Sequence, residues 1–425
     1  MEVLIVAKKP PFPAHDGEAI AIRQMIRGLQ QAGNTVYLMY LNTEKHHAPE
    51  QDVANDLGIQ VHAIEAQTRA TTFGALRNLL SDLPYHVERF AITELSAAIY
   101  THLKAHPDTI VQCEGLYTLV SAYVAIGGFH TGEAKIAYFV PAHYGAENPP
   151  TLPRAKPQQP LFVYRSHNLE HEIWSDLAKN TTGKLKKRYF ELQYKRLEAF
   201  ERHMLREVHA IVPISRADAA WYTQNRPEIP QYYLPTGMDS RQQNDTPVKA
   251  SALYFIGGMD WLPNLEGLRW FKDKVWPILH SASPAITFEY AGRNAPDGFA
   301  AHWPAGCTFH GAVPDAAAFA ADKAICIVPL LSGSGMKIKI AEAMQAGKVV
   351  VTTSKGAAGL PEGMENHLYI ADTPEAFAQA ILHCVNNPEH TRSMGLQARD
   401  YIAQHLNNTQ LGRQLTQFYQ TLRPA

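Results

Sequence analysis

A stretch rich in glycine and serine, Leu331-Ser-Gly-Ser-Gly-Met-Lys-Ile-Lys-Ile-Ala-Glu-Ala-Met-Gln-Ala-Gly347, carries the residue types of an anion site. Ser334, Gly335 and Met336 lie where an apolar strand pattern at 325–329 gives way to a helical one at about 336–346. A turn feeding a helix N-terminus offers free backbone N–H groups and a positive dipole end, which suits a diphosphate. Lys337 and Lys339 stand at that end, where the dipole alone disfavours cations, so an anionic ligand accounts for them. Glu342, more than a turn further on, has the two acceptor oxygens a ribose diol needs. The plainer alternative is a βα turn with glycine for tight geometry. The spacing is unlike the dinucleotide fingerprint, since no Gly-x-Gly-x-x-Gly follows the first strand.

The N-terminal half holds further candidates. His167 and Asn168, in Tyr164-Arg-Ser-His-Asn-Leu-Glu-His-Glu172, follow an apolar strand and are expected at its carboxyl end, where open α/β sheets bind ligands. His167 reads as a donor or acceptor contact, or else as a loop histidine satisfied by backbone. Glu114 ends another strand and reads as an acceptor contact. His167, Glu170 and His171 suggest a metal, but no further ligands accompany them and no metal is assigned. Gly17 closes the loop Pro10-Pro-Phe-Pro-Ala-His-Asp-Gly17, where it lets backbone approach donor phosphates or simply opens a helix. Arg293 follows a strand pattern at 287–291 and reads as a phosphate or sugar contact, against a surface ion pair. The run Lys184, Lys186, Lys187, Arg188, Lys195, Arg196, Arg202, Arg206 is interleaved with Tyr189, Leu192 and Phe200. It suits either an anionic bilayer or a solvated helix face.

These residues must be held by elements that alternate along the chain. A short continuous apolar run, the mark of a parallel strand buried on both faces, occurs at 3–7, and further strands are expected at 36–41, 60–64, 109–113, 135–140, 161–165 and 210–213. A second series occupies 253–256, 287–291, 307–310, 325–329, 349–353 and 367–370. Helical patterns lie between them, among them 93–105, 117–125 and a long one at about 183–206. The proline-rich 149–160 reads as an irregular loop. The 425 residues are 46% hydrophobic and 19% charged, enough for two large cores and against disorder. A net charge of −1 offers no general basic field for nucleic acid. Four scattered cysteines without zinc spacing, a short apolar N-terminal run and the lack of any long apolar run predict a cytoplasmic protein.

The pieces Phe309-His-Gly-Ala-Val-Pro-Asp315, Val328 to Met344 and Gly356-Ala-Ala-Gly-Leu360 resemble the C-terminal domain of family 4, or group 1, glycosyltransferases. The loop Lys9 to Gly17 and the motif Leu234-Pro-Thr-Gly-Met-Asp239 resemble that family's first loop and inter-domain motif. The resemblance implies the GT-B fold, two doubly wound Rossmann-like α/β domains facing a cleft. The expected divisions are 1–206 on the acceptor side, 207–400 for the nucleotide sugar, and a tail, 401–425, crossing back. It implies a retaining hexosyltransferase using a nucleotide diphosphate sugar, with no cofactor or metal and a glycan or lipid-linked acceptor, as in surface-polysaccharide synthesis. Alternatives are a catalytically silent nucleotide-sugar-binding partner and a nucleotide-sugar epimerase of the same fold. Gly17, Gly258, Arg293, Val313, Ser334, Gly335, Met336, Lys337, Lys339 and Glu342 are the expected donor contacts, with His167 and Glu114 catalytic. Two departures stand out: Ser334 replaces the first of two family glutamates, and Met259 and Asn264 stand near the usual Arg and Lys. Lys337 and Lys339 are inferred to take over that charge.

Overall fold

The computed structural model describes residues 1–14, 16–81, 83–131, 159–239, 246–299, 301, 303–333 and 335–423. Two six-stranded sheets organise it. The first contains β1 (Glu2–Ala7), β2 (Thr35–Asn42), β3 (Gln60–Glu65), β4 (Ile110–Glu114), β5 (Leu161–Ser166) and β6 (Ala210–Pro213), in the order β3-β2-β1-β4-β5-β6. The second contains β7 (Lys249–Ile256), β8 (Thr287–Ala291), β9 (Cys307–Phe309), β10 (Lys323–Val328), β11 (Val349–Thr352) and β12 (Tyr369–Ile370), in the order β12-β11-β10-β7-β8-β9. Every pairing is parallel. The expected strand at 135–140 lies outside the described residues, as does most of the loop expected at 149–160.

Alternation explains why these runs read as continuously apolar. Val3, Ile5, Ile110, Leu161 and Val163 enter one core with Ile22, Ile26 and Leu415, while Leu4, Val6, Val111, Cys113 and Phe162 enter the core on the opposite face. Both faces are covered, so neither parity can be polar without a partner. Each sheet reverses direction once. β1 sits beside both β2 and β4, and β7 beside both β8 and β10. At such a switch point the loops leave the carboxyl ends in opposite directions and open a crevice.

The chain divides into a unit of Met1–Pro235 with Asn408–Ala425, and a unit of Thr236–Asn407. The first division thus falls later than the expected position 206, because β6 pairs with β5 and completes the first sheet. The returning tail is the helix Asn408–Thr421 rather than all of 401–425, since the helix Pro388–His405 belongs to the second unit. Its seat is the helix Gly17–Gln31. A Cβ at Gly412 would lie 1.9 Å from the Gly28 carbonyl oxygen, so both glycines are needed for the helices to touch.

The long basic helix forms at Lys184–Glu207. Its bases divide: Lys184, Lys186, Lys187 and Arg188 are exposed, whereas Arg196 donates to the Asn78 carbonyl at 2.8 Å and Arg202 pairs with Glu198 at 3.1 Å. Among the described residues no helix is long and apolar enough to cross a membrane.

Candidate functional site

In the second unit the candidate residues gather at the β7/β10 switch. The loop after β7 begins Gly257-Gly258, and Asn264, buried in the helix Leu262–Trp270, donates from Nδ2 to the Gly258 carbonyl at 2.7 Å. The Oδ1 of the same amide accepts from Lys339 Nζ at 2.8 Å. The Lys339 ammonium also lies 4.3 Å from the centroid of the Phe255 ring. A Cβ at Gly257 would come 2.6 Å from that ammonium and 2.8 Å from the Asn264 amide, so a side chain there would displace one or both. Burial pushes the Lys339 amine down to about 8, and Lys337 pushes the same way. An arriving anion would reverse that shift.

The helix that follows β10 runs Ile338–Gln345, starting two residues later than the expected 336, because Lys337 has non-helical φ and ψ and occupies the N-cap. Lys337 is buried and donates from Nζ to the Gly335 carbonyl at 2.6 Å. Met336 is buried in the loop, and Gly335 adopts a φ of 71°. Glu342 is half-buried one turn after Lys339 on the same helix. Ser334 lies outside the described residues. Arg293 is exposed in the loop after β8, and its carbonyl accepts from the Met259 N–H at 2.8 Å. Val313 is half-buried after β9. Met259 is wholly buried among Phe255, Leu265 and Tyr290, so this position serves packing. Asn264, noted in the sequence only as a departure, proves to be the residue that orients Lys339.

In the first unit a second constellation forms at the β1/β4 switch. His167 Nε2 lies 2.7 Å from Glu114 Oε2. A carboxylate accepts, so Nε2 carries a proton in this contact. Glu114, expected to face an acceptor, is instead completely enclosed, at 0% exposure. It takes a second bond from Gln112 Nε2, and Arg165 Nε lies 3.5 Å from its Oε2. Gln112 Oε1 accepts in turn from the Tyr419 hydroxyl of the C-terminal helix. The three guanidinium nitrogens of Arg165 are buried without a hydrogen-bond partner, leaving the Glu114 carboxylate as its counter-charge. Gln112, Glu114 and Arg165 share the β-face that the C-terminal helix covers, which is why a polar trio survives inside an apolar core.

Beside this pair, Lys9 bonds Asp16 at 2.7 Å and approaches Glu18 at 3.1 Å, while Lys8 approaches Glu18 at 3.2 Å. Burial opposes ionisation of Glu18, but Lys8, Lys9 and His167 hold it well below the usual carboxylate range. Burial raises the Glu170 carboxyl, which accepts from the Tyr117 hydroxyl at 2.8 Å. Gly17 is exposed as the first residue of its helix, with Asp16 accepting from the Ala19 N–H at 3.0 Å. His171, one of the three residues that suggested a metal, spends Nδ1 on Glu201 at 2.7 Å. Burial opposes protonation there, yet that bond raises its pKa. Among the described residues no group of three His, Cys, Asp or Glu side chains could hold a metal ion. Lys8, Lys9, Glu18, Gln112, Arg165 and Tyr419 were missed in the sequence. Polar residues inside otherwise apolar strands, as at Gln112 and Arg165, are the signal that could have found the buried part.

Residues 250–387 match the family model described as "Glycosyl transferases group 1". An "Uncharacterized 44.6 kDa protein in cps region" of Klebsiella pneumoniae is 26% identical over 164 residues, which are 36% of this chain and 42% of that relative's length. Three solved structures are similar over nearly the whole chain. HepE of Anabaena in complex with UDP and glucose is 13% identical, covering 98% of this chain and 99% of its own, at a TM-score of 0.62. Sucrose-phosphate synthase of Thermosynechococcus elongatus is 14% identical, covering 99% of each chain, at 0.63. WaaG, "a glycosyltransferase involved in lipopolysaccharide biosynthesis", is 14% identical, covering 97% of this chain and 98% of its own, at 0.61. At these identities the solved structures speak to fold, whereas the family match falls on the segment holding Gly257, Asn264, Lys337, Lys339 and Glu342. Residues 250–387 are thus similar to the group 1 glycosyltransferases, and the chain is built on the two-domain α/β GT-B fold.

Proposed function

We propose that the protein transfers a hexose from a nucleotide diphosphate sugar to a hydroxyl acceptor, with retention at the anomeric carbon. The observation that carries this reading is the Gly258–Asn264–Lys339 frame beside Lys337 at the β7/β10 switch. A departing nucleoside diphosphate gains negative charge as the glycosidic bond breaks. Two lysines and the amides opening the Ile338–Gln345 helix are positioned to stabilise that charge as it grows. These cations take the part a divalent metal plays elsewhere, so turnover is proposed to be metal-independent. Glu342 is assigned to the ribose diol. UDP is the first nucleotide to test, because HepE was solved with it.

On the first unit, His167 offers Nδ1 to a substrate hydroxyl while Glu114 holds Nε2–H, which makes His167 the catalytic residue and Glu114 a positioning residue. The acceptor is proposed to be a growing glycan or lipid-linked saccharide of a surface polysaccharide. The cps-region relative and the exposed basic residues that open the Lys184–Glu207 helix, suited to an anionic surface, support this reading. A thermal-shift panel of nucleotide sugars tests the donor assignment. A ligand at 100 times its Kd stabilises by about 2.7 kcal/mol, so a cognate donor stands out. Release of nucleoside diphosphate that depends on added acceptor, with an anomerically retained product by proton NMR, supports transfer. Donor binding without acceptor-dependent release would favour the silent-partner reading.

A further inference from the structure

We propose that the first unit docks on an anionic lipid bilayer through the short helix Thr72–Arg77 and the turn Asn78–Leu80, with the N-terminal turns of the Lys184–Glu207 helix contacting lipid phosphates. Phe73, Leu76, Leu79 and Leu80 all lie in this nine-residue stretch, at 76%, 62%, 43% and 94% exposure. No other stretch of the described residues exposes so many large apolar side chains so close together. The segment is held firmly from beneath. Gln193 Nε2 donates to Asn78 Oδ1 at 2.9 Å, and Arg196 donates to the carbonyls of Asn78 and Leu79 at 2.8 and 3.2 Å. The Tyr85 hydroxyl accepts from the Thr71 N–H at 3.0 Å. The polar groups are thus satisfied on the protein side while the apolar ones point outward.

The basic groups adjoin this apolar face. Lys186 precedes Gln193 by two helical turns and Leu185 precedes Arg196 by three, so both share the helix face that carries the turn, roughly 10–17 Å along the axis. Leu185 is 84% exposed. Lys184, Lys187 and Arg188 are exposed beside it, and the first turn of the helix contains no acid. Cations crowded at the positive end of a helix dipole favour an external anion. Two neighbouring cations are already paired, Arg77 with Glu88 at 3.2 Å and Lys179 with Asp176 at 3.5 Å, and Glu191 is the exposed acid on the helix closest in sequence to the cluster.

Apolar side chains beside a basic cluster match the boundary between acyl chains and phosphates. A second copy meeting this face across a twofold axis would oppose like charges. An acidic protein would answer the lysines but leave Phe73 and Leu80 without apolar cover. The inference deepens the proposed lipid-linked acceptor, and its test uses neither donor nor acceptor, so the two stand or fall separately.

The full chain is sedimented with phosphatidylcholine vesicles, and with vesicles that also contain phosphatidylglycerol, at low and high salt. Binding is expected to the mixed vesicles only, and at least tenfold weaker at high salt. Phe73→Ser with Leu80→Ser, and separately Lys186→Glu with Lys187→Glu, should each weaken it at least tenfold without lowering the melting temperature. A Leu80→Trp variant should shift its emission to the blue on mixed vesicles. Failure of the wild type to sediment with mixed vesicles, or undiminished binding by the Phe73/Leu80 variant, overturns the proposal. So does a solution dimer that this variant breaks without any vesicle binding, which would make the occupant a second copy.

Discussion

Replacing Lys339 with Met tests the charge assignment most directly. The ordinary lysine pKa of 10.5 falls to about 8 in the folded chain, chiefly through burial. At 1.36 kcal/mol per pKa unit this amounts to an upper bound of roughly 3 kcal/mol of folding free energy at neutral pH. The residue is only half-buried, which reduces that figure, and Met also abandons the bond to Asn264, worth roughly 1 kcal/mol. The empty Lys339→Met protein is therefore expected to be as stable as the wild type or about 1 kcal/mol more so. For a unit of 172 residues (236 to 407) that is a rise of up to about 4 °C in Tm. The sign follows from linkage: between about pH 8 and 10.5 the unfolded lysine keeps a proton the folded one has lost, so wild-type stability rises with pH there. The variant should lack that rise. Calorimetry with UDP and with uridine completes the test. UDP affinity should fall at least tenfold and uridine affinity stay within twofold, because only UDP carries the diphosphate. Near pH 8.5 UDP should also draw a proton onto wild-type Lys339, making the binding enthalpy depend on the buffer, and this dependence should vanish in the variant. A lower Tm, with UDP and uridine weakened alike, would refute the reasoning and make Lys339 a structural residue.

Three further outcomes are expected. Glu342→Gln should weaken both UDP and uridine at least tenfold, roughly 1.4 kcal/mol, with the ligand-free Tm unchanged; retained uridine affinity by calorimetry would remove Glu342 from the ribose. Glu114→Gln keeps the side-chain volume but gives up the carboxylate facing His167, so kcat should fall at least tenfold while the donor KM stays within twofold; steady-state kinetics checks this. The raised pKa of His171 means that its pair with Glu201 contributes fully below the unfolded value of 6.5 and is lost as pH rises through the higher folded value. Wild-type Tm should therefore fall across that window, and His171→Gln should flatten the profile.

How much could be read beforehand differs by element. Both strand series were legible wherever they are described, because parallel strands covered on both faces are rich in apolar residues, and their alternation with helical patterns betrays them. The glycine-rich loop after β10 was legible as a loop feeding a helix because its glycines, lysines and following helix are adjacent in the chain. The end of the first unit was not, since β6 joins the first sheet through pairing with β5 and no change of composition marks Pro235. The start of the Ile338–Gln345 helix was misjudged for a similar reason, as the backbone of Lys337 stays non-helical against a strongly helical pattern.

The sequence by itself determined the alternating α/β order, the glycine-rich loop that feeds a helix within 331–347 and the family resemblance that segment carries, all of which depend on neighbours along the chain. Only the tertiary structure decided which side chains act together. Asn264 orients Lys339 from 75 residues away, and Tyr419 reaches Gln112 across 307 residues to complete the enclosure of Glu114. It also separated Met259, spent on packing, from Asn264, spent on the lysine, and Arg196, bonded to Asn78, from the exposed Lys186 on the same helix face. Residue type announces that a carboxylate, amide or cation is present. Which partner neutralises it depends on what the fold brings within about 3 Å, and that distance has no counterpart in sequence separation.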